Sequence, residues 1–301
     1  MRETTLKDLK KAAKMASRHA LTAIRYVLPL STRRRMAIWV SRQQWLASGA
    51  RYWWPQELVR DIAETDVHAL HRFLWGHHLG YAQSYEAPRR FGRANIEPWG
   101  RKFFSDLVDQ AANLDALGAQ GVRSVFEVGC SLGYLLRFME TDVFPAATEF
   151  GGIDIDGYAV KSGSQYLEAV GSRISLQCSD MRELERLLGG KEYDVMICPG
   201  VLSYLNEAAA GQAVATMLRH SKLVALTGLA NPGIDNALLP HSDVRRSDMS
   251  FIHNLDRMVT NGGGHVTGRR WEDDRDFDTR GIYFVFATDG ALSGGRTDLV
   301  S

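Results

Sequence analysis

Residues 125–136 read Val125-Phe126-Glu127-Val128-Gly129-Cys130-Ser131-Leu132-Gly133-Tyr134-Leu135-Leu136. The short apolar run Val125 to Val128 meets two glycines and then Tyr134 to Met139, whose spacing suits a helix, so the stretch reads as strand, loop, helix. In a doubly wound sheet the ligand crevice lies at the carboxyl ends of the strands. Glycines at that junction let the backbone approach a bound molecule. Taken alone, the motif is equally an ordinary glycine-rich turn.

Outward from this stretch the same rhythm repeats. Gly152 to Ile155, Ile174 to Gln177, Val195 to Cys198 and Leu223 to Leu226 are expected strands, most of them followed by helical sequence. Such alternation implies a mostly parallel sheet covered on both faces. His265 to Trp271 and Ile282 to Ala287 instead predict two strands joined by an acidic turn. The expected fold is therefore α/β: a doubly wound, mostly parallel seven-stranded sheet with an antiparallel C-terminal strand, preceded by a helical N-terminal region. The expected division is a helical region at 1–120, a Rossmann-like domain at 121–290 and a tail at 291–301.

Spacing within the loop bears on what it binds. Dinucleotide enzymes use G-x-G-x-x-G so that a helix N-terminus faces a pyrophosphate. Here the glycines are Gly129 and Gly133, Cys130 and Ser131 stand where the second glycine belongs, and Glu127 precedes them. The phosphate reading weakens accordingly. One strand later, Gly152-Ile153-Asp154-Ile155-Asp156 puts Asp154 at a strand end, where a carboxylate can accept both hydroxyl protons of a ribose. Asp156 reads as the cap of the next helix. Cys178-Ser179-Asp180-Met181 follows a further strand and offers an acceptor for an exocyclic amine beside a polarizable side chain able to lie on an aromatic base.

In order and spacing, FEVGCSLG (126–133), GIDID (152–156), SDM (179–181) and YDVMICPGVLSYL (193–205) resemble the motifs of the class I S-adenosylmethionine-dependent methyltransferases. The resemblance covers roughly Ser124 to Ala287. It implies S-adenosyl-L-methionine as cofactor, with Glu127, Gly129, Cys130 and Gly133 around its methionine part and Asp154, beside Ile155, on the ribose hydroxyls. Asp180 and Met181 match the adenine contacts, and Gly200, Val201 and Leu202 match the segment beneath the cofactor. Many relatives carry an acidic residue and a histidine where this chain has Ser203 and Tyr204.

Methyl transfer from a sulfonium is an in-line displacement in which positioning supplies much of the rate. A base is needed only when the acceptor must lose a proton, and His241 and His253, beyond the fifth strand, are the candidate catalytic residues for that role. Enzymes of this fold that methylate base amines resemble one another in an Asp/Asn-Pro-Pro-aromatic run where this chain reads Cys198-Pro199-Gly200-Val201, which disfavours nucleic acid as partner. The expected acceptor is a small molecule or saccharide, including a glycolipid, methylated on oxygen. The alternatives are an RNA methyltransferase, a nicotinamide-dependent oxidoreductase and a non-catalytic methyltransferase-like binding subunit.

With 301 residues, 45% hydrophobic and 24% charged, the chain can bury a full α/β core with room for an extra element. Cys130, Cys178 and Cys198 form no CxxC pair, which suggests neither zinc site nor disulfide framework and fits a reducing cytoplasm. His68, His71, His77 and His78 come without a ligand set that singles out a metal.

Residues 1–45 carry eleven Lys or Arg against Glu3 and Asp8. From Leu6 to Leu28 the apolar residues recur every three or four positions, with Lys7, Lys11, Lys14, Arg18 and Arg25 opposite. Such a helix can lie on an anionic membrane as a peripheral contact, bind an acidic partner, or cover the domain with its charges in water; an Arg-rich leader also suits a mitochondrial transit peptide. Pro29 is expected to end it, with Ser31 or Thr32 capping a helix from Arg33 to Trp45, Ala47 to Tyr52 connecting, Thr65 capping the next helix, and a further helix after Pro98.

Overall fold

The computed structural model describes residues 19–46, 48–79, 91, 96, 98–245, 248–271 and 281–290. The chain divides into two compact units, residues 1–85 and 86–301.

In the first unit residues 19–27 are helical, and α1 (Leu30–Ser41), α2 (Ser48–Val59) and α3 (Val67–Gly76) follow. Most of the expected basic face, from Lys7 to Arg18, lies outside the described residues. Helix α1 starts three residues earlier than expected, directly after Pro29, so Ser31 and Thr32 sit in its first turn and cap nothing. Of the expected connection at 47–52, residues 48–52 are instead the start of α2. The reason is packing: Ala37 and Val40 of α1 and Leu58 and Val59 of α2 are all buried, which outweighs the weak local signal of Gly49 and the proline at 55. Asp66, not Thr65, caps α3 by accepting the Ala69 N–H at 3.1 Å. Arg33 is buried, where its guanidinium donates to both oxygens of Asp61 (2.6 and 2.7 Å) and to the Leu58 carbonyl (2.7 Å).

Among its described residues the second unit has nine strands: β1 (Ser124–Val128), β2 (Glu149–Asp154), β3 (Ile174–Cys178), β4 (Tyr193–Pro199), β5 (Ser221–Leu229), β6 (Asp243–Arg245), β7 (Ser250–Ile252), β8 (Gly264–Trp271) and β9 (Ile282–Asp289). Seven form one sheet in the order β3-β2-β1-β4-β5-β9-β8, in which β9 runs opposite to the other six. This is the expected doubly wound architecture. Along β1 the side chains alternate between two cores, with Phe126 and Val128 packing beside Met196 and Val224 and Val125 facing Ile197 and Phe284. Helix α4 (Pro98–Ala112) falls with the sheet rather than with the N-terminal helices, because Phe103 packs edge-on to Phe284 (5.4 Å) and against Phe286 (5.7 Å). The acidic turn between β8 and β9 and the tail at 291–301 lie outside the described residues.

The remaining helices of this unit are α5 (Tyr134–Phe138), α6 (Gly157–Ala169), α7 (Leu184–Leu188), α8 (Glu207–Arg219) and α9 (Leu255–Asn261). Sequence periodicity does not reveal the β6–β7 hairpin, whose strands are three residues each. Helix α9 begins beyond His253, capped by the Asn254 side chain on the Arg257 N–H. Among the described residues no helix is long and apolar enough to cross a membrane.

Candidate cofactor and active site

The sheet order reverses between β1 and β4, which opens a crevice at their carboxyl ends. The loop 129–133 leaves β1 there, and the turn Gly200–Val201 leaves β4. The two meet directly. Gly129 has φ +81°, and a Cβ built on it would overlap the Val201 side chain, whose own Cβ would be 2.9 Å away. Only glycine satisfies both the left-handed backbone and this contact. Gly133 and Gly200 lead into α5 and into the 3₁₀ turn Val201–Tyr204.

The N–H groups of the loop are largely spent within the protein. Those of Gly129 and Cys130 both donate to the Ile153 carbonyl (2.7 and 2.9 Å), that of Gly133 donates to the Cys130 carbonyl (2.7 Å), and that of Ser131 to Asp154 Oδ2 (2.7 Å). A pyrophosphate site needs such groups free and pointing outward. The Cys130 side chain is buried against Gly152, so this residue serves the loop through its backbone.

Asp154 ends β2 and accepts N–H bonds on both oxygens, from Ser131 and from Asp156 (2.8 Å). Burial pushes its carboxyl up to about 6 in spite of these bonds. Neighbouring Ile155 lies just past the strand, and Asp156 caps α6 through the Tyr158 and Ala159 N–H groups (3.0 and 3.1 Å).

Glu127 is buried in β1, and its Oε2 has no hydrogen-bond partner among the described residues. Burial, and then the charge of Asp154, push this carboxyl well above the usual range. A buried acid of this kind is incomplete without a cation or donor to satisfy it. S-adenosylmethionine brings an ammonium for Glu127 and ribose hydroxyls for Asp154, so the residues present fit this cofactor.

On the adenine side, Asp180 is paired with Arg182 (2.6 Å) and caps the turn Met181–Glu183, while Met181 packs at the edge of the core. An amine contact by Asp180 therefore competes with Arg182. Leu202 is buried under the crevice.

The two histidines separate. His241 is 85% exposed beside Glu207, whereas His253 is buried and stacked on Phe251 (5.7 Å, 10°). His253 Nε2 lies 2.9 Å from the Leu202 carbonyl, which only accepts, so Nε2 carries the proton. Nδ1 is then the acceptor for the Ser242 hydroxyl at 2.7 Å. Burial lowers the basicity of this ring and keeps it neutral. Buried Asn236 and Asn254 hold the surrounding chain, Asn236 by donating to the Leu229 and His253 carbonyls (2.9 and 2.7 Å).

Three contributors escape the sequence reading. Ser242 has no motif to mark it. Ser131 adopts φ +51°, held by Asp154 from 23 residues away. Gly163, inside α6, lets that helix lie on the backbone of Leu132, whose Cα would be 2.8 Å from a Cβ there. An isolated glycine within a helical pattern is the available signal for the last.

Residues 125–223 match the model of a family described as a methyltransferase domain. Among solved structures, magnesium protoporphyrin IX methyltransferase from Synechocystis PCC 6803 with bound SAH is 16% identical, covering 74% of this chain and 100% of its own, with a TM-score of 0.50. A SAM-dependent methyltransferase from Leishmania major is 11% identical, covering 75% of this chain and 85% of its own, with a TM-score of 0.53. At these identities the likeness is one of fold. No curated protein sequence matches the chain. The family match and the sheet order agree: residues 125–223 carry a methyltransferase domain on the fold of the class I S-adenosylmethionine-dependent enzymes, and the crevice fits S-adenosylmethionine.

Proposed function

We propose that the enzyme, a small-molecule methyltransferase, transfers its methyl group to a hydroxyl oxygen of a saccharide, glycolipid or other small acceptor, with His253 as the base. Bound cofactor supplies an electrophilic methyl group on a sulfonium. Glu127 and Asp154 anchor its two ends and the Gly129–Val201 contact shapes the floor, so this chain contributes mainly position. Oxygen is a weaker nucleophile than an amine until its proton leaves, and the observation that carries the reading is the neutral His253 ring with Nδ1 on the Ser242 hydroxyl. A proton leaving the acceptor can pass to Ser242 Oγ while the Ser242 proton moves to Nδ1. His241, largely in water, is the weaker candidate for the base.

The test is incubation with methyl-labelled cofactor and an extract of metabolites and glycolipids, with the product heavier by one methyl group identified by mass spectrometry. An alkali-stable methyl ether is expected. His253→Gln and Ser242→Ala should each lower turnover by about 10²-fold or more with S-adenosylhomocysteine affinity retained. An N-methyl product, or unchanged turnover in both variants, overturns the proposal.

A further inference from the structure

The helical unit carries an exposed surface that is both basic and aromatic. Residues 19–46 contain Arg25, Arg33, Arg34, Arg35 and Arg42 and no Asp or Glu. Three of these arginines are engaged within the unit: Arg25 donates to the Thr22 hydroxyl at 3.5 Å, Arg33 is buried on Asp61, and Arg34 lies over the Phe73 ring at 5.4 Å. Arg35 and Arg42 are exposed. With Trp39 they fall at i, i+4 and i+7, which places all three along one face of α1. Trp39 is 56% exposed, and Trp45, just beyond the helix, is 73% exposed. Tyr26 and Val27, at the end of the preceding helical stretch, are more exposed still.

We propose that this Arg35–Trp39–Arg42 face, extended by Trp45, docks on an anionic lipid bilayer. Indole rings suit the headgroup layer, where an apolar body and a polar N–H are both satisfied, and guanidinium groups pair with phosphate oxygens. Charge decides the occupant. Residues 1–18 add six further Lys or Arg against Glu3 and Asp8, so the sequence that precedes this face is basic as well. A second copy docked face to face would bring like charges together, whereas a bilayer rich in anionic lipid attracts every one of them.

Flotation of the full chain with vesicles of phosphatidylcholine alone, or mixed with phosphatidylglycerol, tests the proposal. Binding is expected to the mixed vesicles at low salt and to be lost in 1 M salt, where the screening length falls to about 3 Å. Arg35→Glu/Arg42→Glu and Trp39→Ser/Trp45→Ser should each weaken it by about tenfold or more, with circular dichroism and S-adenosylhomocysteine affinity unchanged. The proposal is overturned if the parent chain does not bind the mixed vesicles, if both variants float as it does, or if gel filtration shows a dimer that Trp39→Ser/Trp45→Ser dissociates.

Discussion

Gly129 and Asp154 carry separable loads. A methyl at Gly129 meets two penalties, the left-handed backbone, costing about 1–2 kcal/mol, and the overlap with Val201. Gly129→Ala should therefore lose cofactor binding, and adding Val201→Gly should restore part of it by removing the overlap with the Val201 side chain; calorimetry with S-adenosylhomocysteine on the single and double variants reads the difference. A double variant no better than Gly129→Ala would show that backbone strain is the whole effect. Asp154 has its carboxyl raised to about 6 by burial, and in the proposed site it is the ionised form that would accept the ribose hydroxyls. Affinity should then be flat above pH 6 and weaken as pH falls below it. The sign for folding is opposite: an acid raised above its unfolded value of 3.8 favours the fold most below 3.8, and that contribution is lost as pH rises through 6. Asp154→Asn should lower affinity by a factor on the order of 10 to 100 and abolish the pH dependence. A pH profile identical in Asp154→Asn and the parent would remove Asp154 from ribose recognition.

At the scale of elements, α5 continues into a π turn, Met139–Val143, that places Glu140 inside the unit. Burial alone would raise this carboxyl, but the Ser172 hydroxyl (2.6 Å), the Arg173 N–H (2.8 Å), Arg137 (2.5 Å) and the Arg173 side chain (3.1 Å) hold it at about 2. It thereby ties the helix that follows the cofactor loop to the start of β3. An acid held below its unfolded value of 4.5 stabilises the fold above that pH, and the contribution fades as pH falls through 2. Glu140→Gln should cost on the order of 2 kcal/mol at pH 7 and flatten the acid limb of stability between pH 4.5 and 2 in urea titrations. Equal loss at pH 7 and pH 3 would mean that packing, not charge, is what Glu140 provides.

For the whole molecule, the loop N–H groups spent on Ile153 and Asp154 separate this crevice from a dinucleotide site. S-adenosylhomocysteine at 100 times its dissociation constant should add about 2.7 kcal/mol and raise the melting temperature of the catalytic unit on the order of 5 °C; NAD at the same concentration should leave it in place. A shift with NAD and none with S-adenosylhomocysteine would refute the cofactor assignment. Much of this architecture is written locally. Apolar runs at Val125, Ile174, Val195 and Leu223 with helical sequence between them suffice for a parallel sheet, because burial on both faces demands that composition. The β6–β7 hairpin is not, since three-residue strands such as Asp243–Arg245 are too short to repeat a two-residue alternation.

The sequence by itself determined the strand–loop–helix at Val125–Met139, the acid at the end of β2 and the cap at Asp156, all of them consequences of spacing within one element and its neighbour. Tertiary structure alone decided which of Arg33, Arg34 and Arg35 goes inside, because the choice depends on Asp61, a whole helix away. It also decided that His253 is neutral and turned to Ser242 while His241 stands in water, although both lie in the same short segment of sequence. The physical reason is common to both: a charged or titratable side chain takes its state from the solvent it loses and the partners it gains, and those are set by distant chain segments packing together.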